Sequence, residues 1–312
     1  MTKIKVLNFD ALSYSGTTWL NLLLGSHPDV FALGPPHRVW NLKDKKFEGA
    51  CLVHGKNCEF WSGFGEIWNE NENFFVALSR YSGKRIFLMD NAHPEFVEAT
   101  MNHQDVEVLK GRYIRDARAI TASYARKMAD QGISYIDSIQ PSGWFYPSFM
   151  AVSSLQQLRE ENQFIVHYEE AVNDQEAFLA KAGVFLNISY SSNVFKFWEH
   201  EHHVTSGNQG PIAMIKLHQG LNVGNFESRD VYESQLAKLK DNPSKAFSDE
   251  RWKSQLSAAE LKEFDLLMGK KNAELGYSRN KFEQTDLSPN LWAKKFAGQS
   301  IVWLSKIKRL FK

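Results

Sequence analysis

A short polar segment between a predicted strand and a predicted helix most constrains how this chain folds. The segment SYSGTT (residues 13–18) follows the run KIKVLNFDAL and precedes the apolar run WLNLLLG. Gly16 lets the backbone approach a ligand closely. The first backbone amides of a helix bind anions, because their N–H groups are free and the positive end of the helix dipole lies there. Two interpretations remain open: the segment binds a phosphate-like group, or it is a turn with a helix cap.

The side chains of this segment suit an anion and a nucleobase. Ser15, Thr17 and Thr18 carry hydroxyl donors, and Trp19 offers a flat face to a base. The pattern differs from the Walker sequence G-x-x-x-x-G-K-[ST], because the first glycine and the lysine are missing. This difference disfavours a nucleoside triphosphate kinase without excluding it.

Apolar runs alternate with helix-like segments through the first half of the chain. The runs are rich in Val, Ile and Phe and are bounded by turn-forming residues, which predicts strands. Strands that alternate with helices are typical of βαβ units, so the sequence predicts an α/β fold of three layers, with a central parallel sheet flanked by helices. The predicted strands span residues 4–9, 30–33, 85–89, 106–114 and 164–168, and the predicted helices span residues 17–24, 94–100, 117–129, 148–160, 174–182, 231–240 and 258–275.

Composition limits the class of protein. The 312 residues are 43% hydrophobic, which is enough to bury a sizeable core, and the net charge of +1 argues against a nucleic-acid partner. The two cysteines fit a reducing, cytoplasmic compartment better than a disulfide scaffold. We expect neither a secretory signal nor a transmembrane helix. Because no linker stands out, we expect one domain over residues 1–285, followed by a tail.

A second strand–helix junction carries an arginine and a serine. The segment VLKGRYIRDARAITASYARK places Arg115 at the end of a predicted strand, Asp116 at the helix N-cap, and Ser123 eight residues after the arginine. A guanidinium group binds phosphate well through its fork geometry and its permanent charge. The alternative is that Arg115 forms a surface ion pair and Ser123 is an ordinary helix residue.

Together the two segments resemble the sulfotransferases that use 3′-phosphoadenosine 5′-phosphosulfate (PAPS). YSGTTWL is similar to that family's 5′-phosphosulfate loop, and RDARAITAS is similar to its 3′-phosphate motif. IVHYEEAVNDQEAFLAKAGVFLNI and HHVTSGNQ resemble two further family segments. The resemblance runs from about residue 4 to about residue 277. It implies a P-loop-like fold and an enzyme that moves a sulfuryl group from PAPS to an acceptor hydroxyl.

The resemblance also implies roles for the matched residues. The loop would bind the 5′-phosphosulfate, the second motif would bind the 3′-phosphate, and two aromatic side chains would lie near the adenine. PAPS is then the co-substrate, and the chemistry requires no metal. The implied donor-binding residues are Ser15, Gly16, Thr17, Thr18, Trp19, Arg115, Ser123, Tyr168 and Asn208.

One position departs from the family pattern. The family's loop carries Lys or Arg before Ser-Gly, where it neutralises charge on the leaving phosphate, and this chain has Tyr14. Either Tyr14 donates a hydrogen bond instead, or a cation such as Lys216 or Arg38 comes from elsewhere. A non-catalytic nucleotide- or glycan-binding relative is therefore a second alternative, beside the kinase.

Sulfuryl transfer needs a base that takes the proton of the acceptor, and two histidines are candidates. His93 follows a predicted strand end, beside Asp90 and Asn91, at the edge of the sheet where ligands of α/β proteins bind. The family often has a histidine near this point, so we prefer His93 to His37.

A metal-ligand pattern and a basic tail complete the sequence. Cys51, His54 and Cys58 form C-x2-H-x3-C, and HEHH at residues 200–203 could supply a fourth ligand, but we expect two thiols without a metal. The tail at residues 286–312 predicts a basic amphipathic helix, which either docks on the domain or lies on the inner face of a membrane.

The sequence does not separate three classes of acceptor. The expected acceptor is a carbohydrate, a lipid or lipid-linked glycan, or a small phenol.

Overall fold

The computed structural model describes the following parts of the chain. They are residues 3–36, 40–41, 46–47, 51–69, 71–92, 94–141, 143, 145–157, 162–224, 229–244 and 249–279. His37, Arg38, His93 and the tail at residues 286–312 lie outside the described residues.

The chain folds into two compact units, each built from several stretches of sequence. The first unit contains the sheet and most of the helices that follow its strands. The second unit contains the long helix after the Arg115 motif and the C-terminal helices. The first comprises Met1–Ala11, Gly16–Tyr113 and Glu161–Phe247, and the second comprises Leu12–Ser15, Ile114–Glu160 and Ser248–Lys312.

A five-stranded parallel sheet forms the centre of the first unit, as the sequence predicts. The strands of the described chain are β1 (Ile4–Ala11), β2 (Val30–Ala32), β3 (Trp40–Asn41), β4 (Lys46–Phe47), β5 (Ile86–Asp90), β6 (Val106–Ile114) and β7 (Gln163–His167). The order in the sheet is β2-β5-β1-β6-β7, while β3 and β4 form a separate antiparallel pair. All five residues of β5 are buried, and the first four, Ile86–Met89, form an unbroken apolar run, as expected for a central parallel strand.

Helices flank the sheet and confirm the predicted three-layer α/β class. The described helices are α1 (Thr17–Gly25), α2 (Glu59–Ile67), α3 (Phe74–Ser82), α4 (Pro94–Met101), α5 (Ala117–Met128), α6 (Tyr135–Ile139), α7 (Phe145–Gln157), α8 (Tyr168–Asn173), α9 (Gln175–Leu186), α10 (Gln209–His218), α11 (Arg229–Asp241), α12 (Trp252–Gln255), α13 (Ala258–Phe264) and α14 (Lys270–Glu274). In the described part of the chain, no helix is long and apolar enough to cross a membrane.

Most predicted helices differ from the observed ones only at their ends, but two differ in other ways. The segment predicted as one helix over residues 258–275 is interrupted by a π-helical turn at Asp265–Gly269, where the Asp265 side chain lies against Gly269. Helix α7 begins at Phe145 rather than at residue 148. The aromatic side chains of Phe145, Tyr146 and Phe149 on this helix are buried in the second unit. These three aromatic residues therefore belong to the core.

The parallel strands position the candidate site. The C-terminal ends of β1, β5 and β6 lie at one edge of the sheet, because the three strands are parallel and paired in register. Helix α1 starts six residues after Ala11, the last residue of β1, and buries Leu20, Leu22, Leu23 and Leu24 completely. Open α/β sheets bind their ligands at this edge.

Candidate active site

The loop before α1 has unusual backbone geometry at two residues. Tyr14 has φ of 67° and Gly16 has φ of 106°, a region that L side chains adopt at a cost of about 1–2 kcal/mol. Between them, Ser15 is fully buried, and its hydroxyl has no hydrogen-bond partner among the described residues. An unpartnered buried hydroxyl is costly, so a bound group that forms a hydrogen bond with it would stabilise the loop.

Gly16 is packed so tightly in the first unit that no side chain fits. A Cβ atom there would lie 2.9 Å from Cε2 of Tyr168 and 3.3 Å from the hydroxyl oxygen of Tyr113. The Tyr168 ring also makes an edge contact with the Trp19 ring, with the ring centroids 6.3 Å apart. The first unit thus brings together three residues that the sequence placed near the donor nucleotide.

A buried carboxyl group ties the first turn of α1 to the end of β5. The Thr17 hydroxyl at 3.4 Å and the Asn21 side-chain amide at 3.1 Å donate to the two oxygens of Asp90. Burial raises the pKa of Asp90 to about 7, and the hydrogen bonds from Thr17 and Asn21 offset only part of that effect. Asp90 therefore fixes the start of α1 at the edge of the sheet.

The raised pKa of Asp90 predicts a pH dependence of stability. The folded-state pKa of about 7 exceeds the ordinary value of 3.8, so the folded protein binds the proton more tightly than the unfolded chain does. The associated stabilisation is present at acidic pH and is lost as the pH rises towards 7 and beyond, by about 2–3 kcal/mol between pH 5 and pH 8. Urea unfolding of wild type and Asp90→Asn at both pH values measures this loss. The variant should lack it, and parallel pH profiles would contradict the assignment.

Thr18 is held by the segment that leads into α10. Its hydroxyl accepts a hydrogen bond from the backbone amide of Asn208 at 2.7 Å. The side-chain oxygen of Asn208 accepts from the amide of Gly210 at 3.0 Å and so caps α10. A Cβ atom at Gly207 would lie 2.7 Å from the Thr18 hydroxyl oxygen, so this position also requires glycine. Asn208 therefore positions the loop through its backbone.

In the second unit, Arg115 connects the end of β6 to the loop. Its guanidinium donates to the backbone oxygen of Tyr14 at 2.8 Å and to the backbone oxygen of Asp249 at 3.3 Å. The same group lies 3.5 Å from a carboxylate oxygen of Asp249, and both side chains are largely buried. Arg115 thus helps to hold the backbone of Tyr14 in place.

Further donors surround the Asp249 carboxylate. Ser123 donates to one oxygen at 3.4 Å, Arg126 donates to the same oxygen at 3.3 Å, and Arg251 donates to both oxygens at 2.6 and 2.9 Å. Burial by itself raises the pKa of this carboxyl, but the hydrogen bond from Arg251 and the charges of the three arginines lower it to about 2. We call Arg115, Ser123, Arg126 and Arg251 the basic cluster. It binds an anionic group within the chain itself.

The Tyr14 side chain lies beside α5 in the second unit. Its ring meets the Tyr124 ring edge-on at 5.8 Å, and Nζ of Lys127 lies 5.8 Å from the centre of the Tyr14 ring. Burial raises the pKa of the Tyr14 hydroxyl, which therefore stays neutral at physiological pH. The structure thus places Lys127, a residue that the sequence analysis did not single out, beside the Tyr14 ring.

Comparison with solved structures finds a similar fold in a sulfotransferase domain. No protein-family model and no curated protein matches the sequence. A solved sulfotransferase domain from the Synechococcus PCC 7002 olefin synthase superposes with a TM-score of 0.53 at 13% identity, over 89% of this chain and 97% of that domain. This chain has the sulfotransferase-domain fold.

Two other solved structures superpose less well. A sulfotransferase domain from the curacin biosynthetic pathway has a TM-score of 0.47 at 14% identity and covers 90% of this chain and 99% of its own. The mouse sulfotransferase SULT7A1, complexed with PAP, has a TM-score of 0.45 at 12% identity and covers 95% of this chain and 88% of its own.

The expected donor-binding residues fall into two groups in this sulfotransferase-like fold. The first unit holds one group around α1, and the second unit holds the other around the start of α5. The first group is Gly16, Thr17, Thr18, Trp19, Tyr168 and Asn208, and the second is Ser15, Arg115 and Ser123. Both candidate bases, His93 and His37, lie outside the described residues.

Three residues of the site were not found from the sequence. Arg126 follows Ser123 by three positions on α5, so helical spacing could have placed the two side chains on one face. Arg251 and Asp249 have no such signal, because Asp249 lies 134 residues after Arg115 in the chain. Only the folded second unit brings them to the cluster.

Proposed function

We propose that this protein transfers a sulfuryl group from PAPS to the hydroxyl group of an acceptor. The basic cluster carries the proposal, since an arginine at a strand end and a serine on the next helix hold an anionic carboxylate. A phosphate monoester presents similar charged oxygens to guanidinium and hydroxyl donors. The sulfotransferase-domain fold supports the same choice of donor.

In the proposed complex, the 3′-phosphate takes the place of the Asp249 carboxylate at Arg115 and Ser123. The amides of residues 15–19 bind the 5′-phosphosulfate, and the rings of Trp19 and Tyr168 lie near the adenine. Two observations support a ligand at the loop: the buried Ser15 hydroxyl has no partner among the described residues, and the backbone at residue 16 has no room for a Cβ atom.

The proposed reaction is an in-line transfer. The acceptor oxygen forms a bond to sulfur while the bond from sulfur to the bridging phosphate oxygen breaks. That oxygen leaves with both bonding electrons on 3′-phosphoadenosine 5′-phosphate (PAP). A base takes the proton of the acceptor hydroxyl, and we assign this role to His93, with His37 as the alternative.

The leaving phosphate gains negative charge as its bond to sulfur breaks, so a positive group near the loop lowers the barrier. Tyr14 stands where related loops carry this cation, and the Lys127 ammonium lies beside the Tyr14 ring. We therefore propose that Lys127 supplies the charge, while the Tyr14 hydroxyl is a hydrogen-bond donor. Carbohydrates and lipid-linked glycans are the proposed acceptors, on the cytoplasmic side of a membrane or free in the cytoplasm.

Calorimetric titration of the wild-type protein with PAP, ADP and ATP tests the choice of donor. We expect PAP to bind with a Kd of about 1–10 μM, and ADP and ATP to bind at least about tenfold more weakly because they lack the 3′-phosphate. Transfer of radiolabelled sulfate from PAPS to a panel of sugars, glycolipids and phenols then identifies the acceptor.

Each rival function predicts a different result. ATP binding as tight as PAP binding would favour a P-loop kinase. PAP binding without transfer to any member of the panel would favour a non-catalytic nucleotide- or glycan-binding protein. A protein that binds none of the three nucleotides would contradict the proposed donor site.

A further inference from the structure

Four potential metal ligands converge in the first unit. Cys51 and Cys58 are buried and not disulfide-bonded, and His54 and His203 lie beside them. Three of these residues lie within one short segment, residues 51–58, while His203 follows Cys58 by 145 positions. The fold therefore supplies the fourth ligand that the pattern C-x2-H-x3-C lacks.

The distances between the ligand atoms match a tetrahedral site. Sγ of Cys51 lies 3.5 Å from Nδ1 of His54, which lies 3.9 Å from Sγ of Cys58, and that sulfur lies 3.4 Å from Nδ1 of His203. All four ligand atoms lie within 4.8 Å of one another. A tetrahedral zinc ion with ordinary Zn–S and Zn–N bonds places sulfur and nitrogen about 3.5 Å apart.

The surroundings of the two imidazoles also fit a metal site. Both histidines turn Nδ1 towards the sulfurs, and Nε2 of each lies 3.5 Å from the same carboxylate oxygen of Glu201. A carboxylate on the second ring nitrogen is the usual support of a zinc-bound histidine. The Phe60 ring stacks on the His203 ring with centroids 4.2 Å apart, which fixes the plane of that imidazole.

The backbone holds the ligands in place. The amide of His54 points at Sγ of Cys51 at 3.4 Å, and the amide of Gly55 donates to the carbonyl of Cys51 at 2.8 Å. The Trp61 indole donates to the backbone oxygen of His203 at 2.8 Å. These hydrogen bonds connect the segment of residues 51–61 to His203 without a metal ion. The four ligand atoms therefore need to move little to coordinate a metal ion.

We propose that Cys51, His54, Cys58 and His203 bind one structural zinc ion. Two thiolates and two imidazoles are the ligands of closed tetrahedral zinc sites, and no position remains open for a substrate. Both thiols release their protons to solvent when the metal binds. The ion joins the segment before α2 to the segment that leads to Asn208. None of the four ligands takes part in the proposed sulfuryl transfer.

Metal analysis of the full-length protein tests the site. Wild type, purified without chelator or histidine tag from zinc-supplemented medium, should contain about one zinc ion per chain. Cys58→Ser and His203→Gln should each contain less than about a tenth of that amount. His200→Gln is the matched control and should keep its zinc, because His200 contacts the backbone oxygen of Asn193 and is not one of the four ligands.

If the variants do not fold, replacement of the zinc in wild type by cobalt tests whether the four ligands bind a tetrahedral metal ion. Bound Co²⁺ should show the intense visible bands of a tetrahedral ion and the charge-transfer band of a thiolate ligand. A wild-type protein that contains little zinc and gives no such spectrum would overturn the proposal. So would a disulfide between Cys51 and Cys58 in freshly purified protein.

Discussion

Arg115→Ala is expected to lower the affinity for PAP about 100-fold, because charge-assisted hydrogen bonds to a phosphate are each worth about 1.5–3 kcal/mol. The loss should fall on the 3′-phosphate. Adenosine 5′-monophosphate lacks that group, so the ratio of its Kd to the Kd of PAP isolates the contribution of the 3′-phosphate. We expect Arg115→Ala to reduce this ratio to near one, as measured by calorimetry.

Two further variants separate a phosphate site from a structural ion pair. Asp249→Asn removes the carboxylate that the basic cluster binds, so PAP affinity should rise about tenfold while the free protein loses stability. Arg229→Ala removes an exposed arginine that pairs with Glu233 at the surface, and it should leave both the PAP affinity and the stability close to those of wild type. If Arg115→Ala weakens both nucleotides equally, the cluster is structural.

Local sequence patterns were sufficient to predict the strand and helix bounds that depend on neighbouring residues. Strand β6 spans the predicted residues 106–114, and α1 begins at the predicted Thr17, because apolar runs and a glycine turn determine both. The π-helical turn at Asp265–Gly269 could not be predicted in this way. It depends on how one side chain lies over a glycine, which helical periodicity does not encode.

Contacts between distant segments could not be predicted. The sequence indicated Arg115 as a phosphate ligand but not the anion that this arginine binds, since Asp249 lies 134 positions away. The pattern C-x2-H-x3-C likewise led us to expect two thiols without a metal, and HEHH at residues 200–203 was only a possible source of a fourth ligand; the fold brings His203 to the two cysteines and His54. Both sites combine a local motif with residues from a remote segment. The local motif can be recognised in a single sequence, and the topology determines which remote residues join it.

Gly16→Ala should destabilise the protein by about 3 kcal/mol and reduce PAP affinity at least about 100-fold, since two separate costs combine at this residue. The φ of 106° is unfavourable for any L side chain, and the added methyl group would lie 2.9 Å from the Tyr168 ring. The Tyr168 ring is buried and also contacts Trp19 and Tyr113, so it has little room to move. The loop must then shift, and its backbone amides no longer point at the 5′-phosphate of PAP.

Gly83→Ala separates the backbone cost from the steric cost. Gly83 has φ of 71° at the C-terminus of α3, and an added Cβ atom would meet nothing within 4 Å. We expect this control to lose about 1 kcal/mol and to bind PAP like wild type. Urea unfolding and calorimetry of the two variants give the difference that arises from the Tyr168 contact. Equal losses of stability with unchanged PAP affinity in both would show that the loop tolerates a side chain at residue 16, and the phosphosulfate would then have to bind elsewhere.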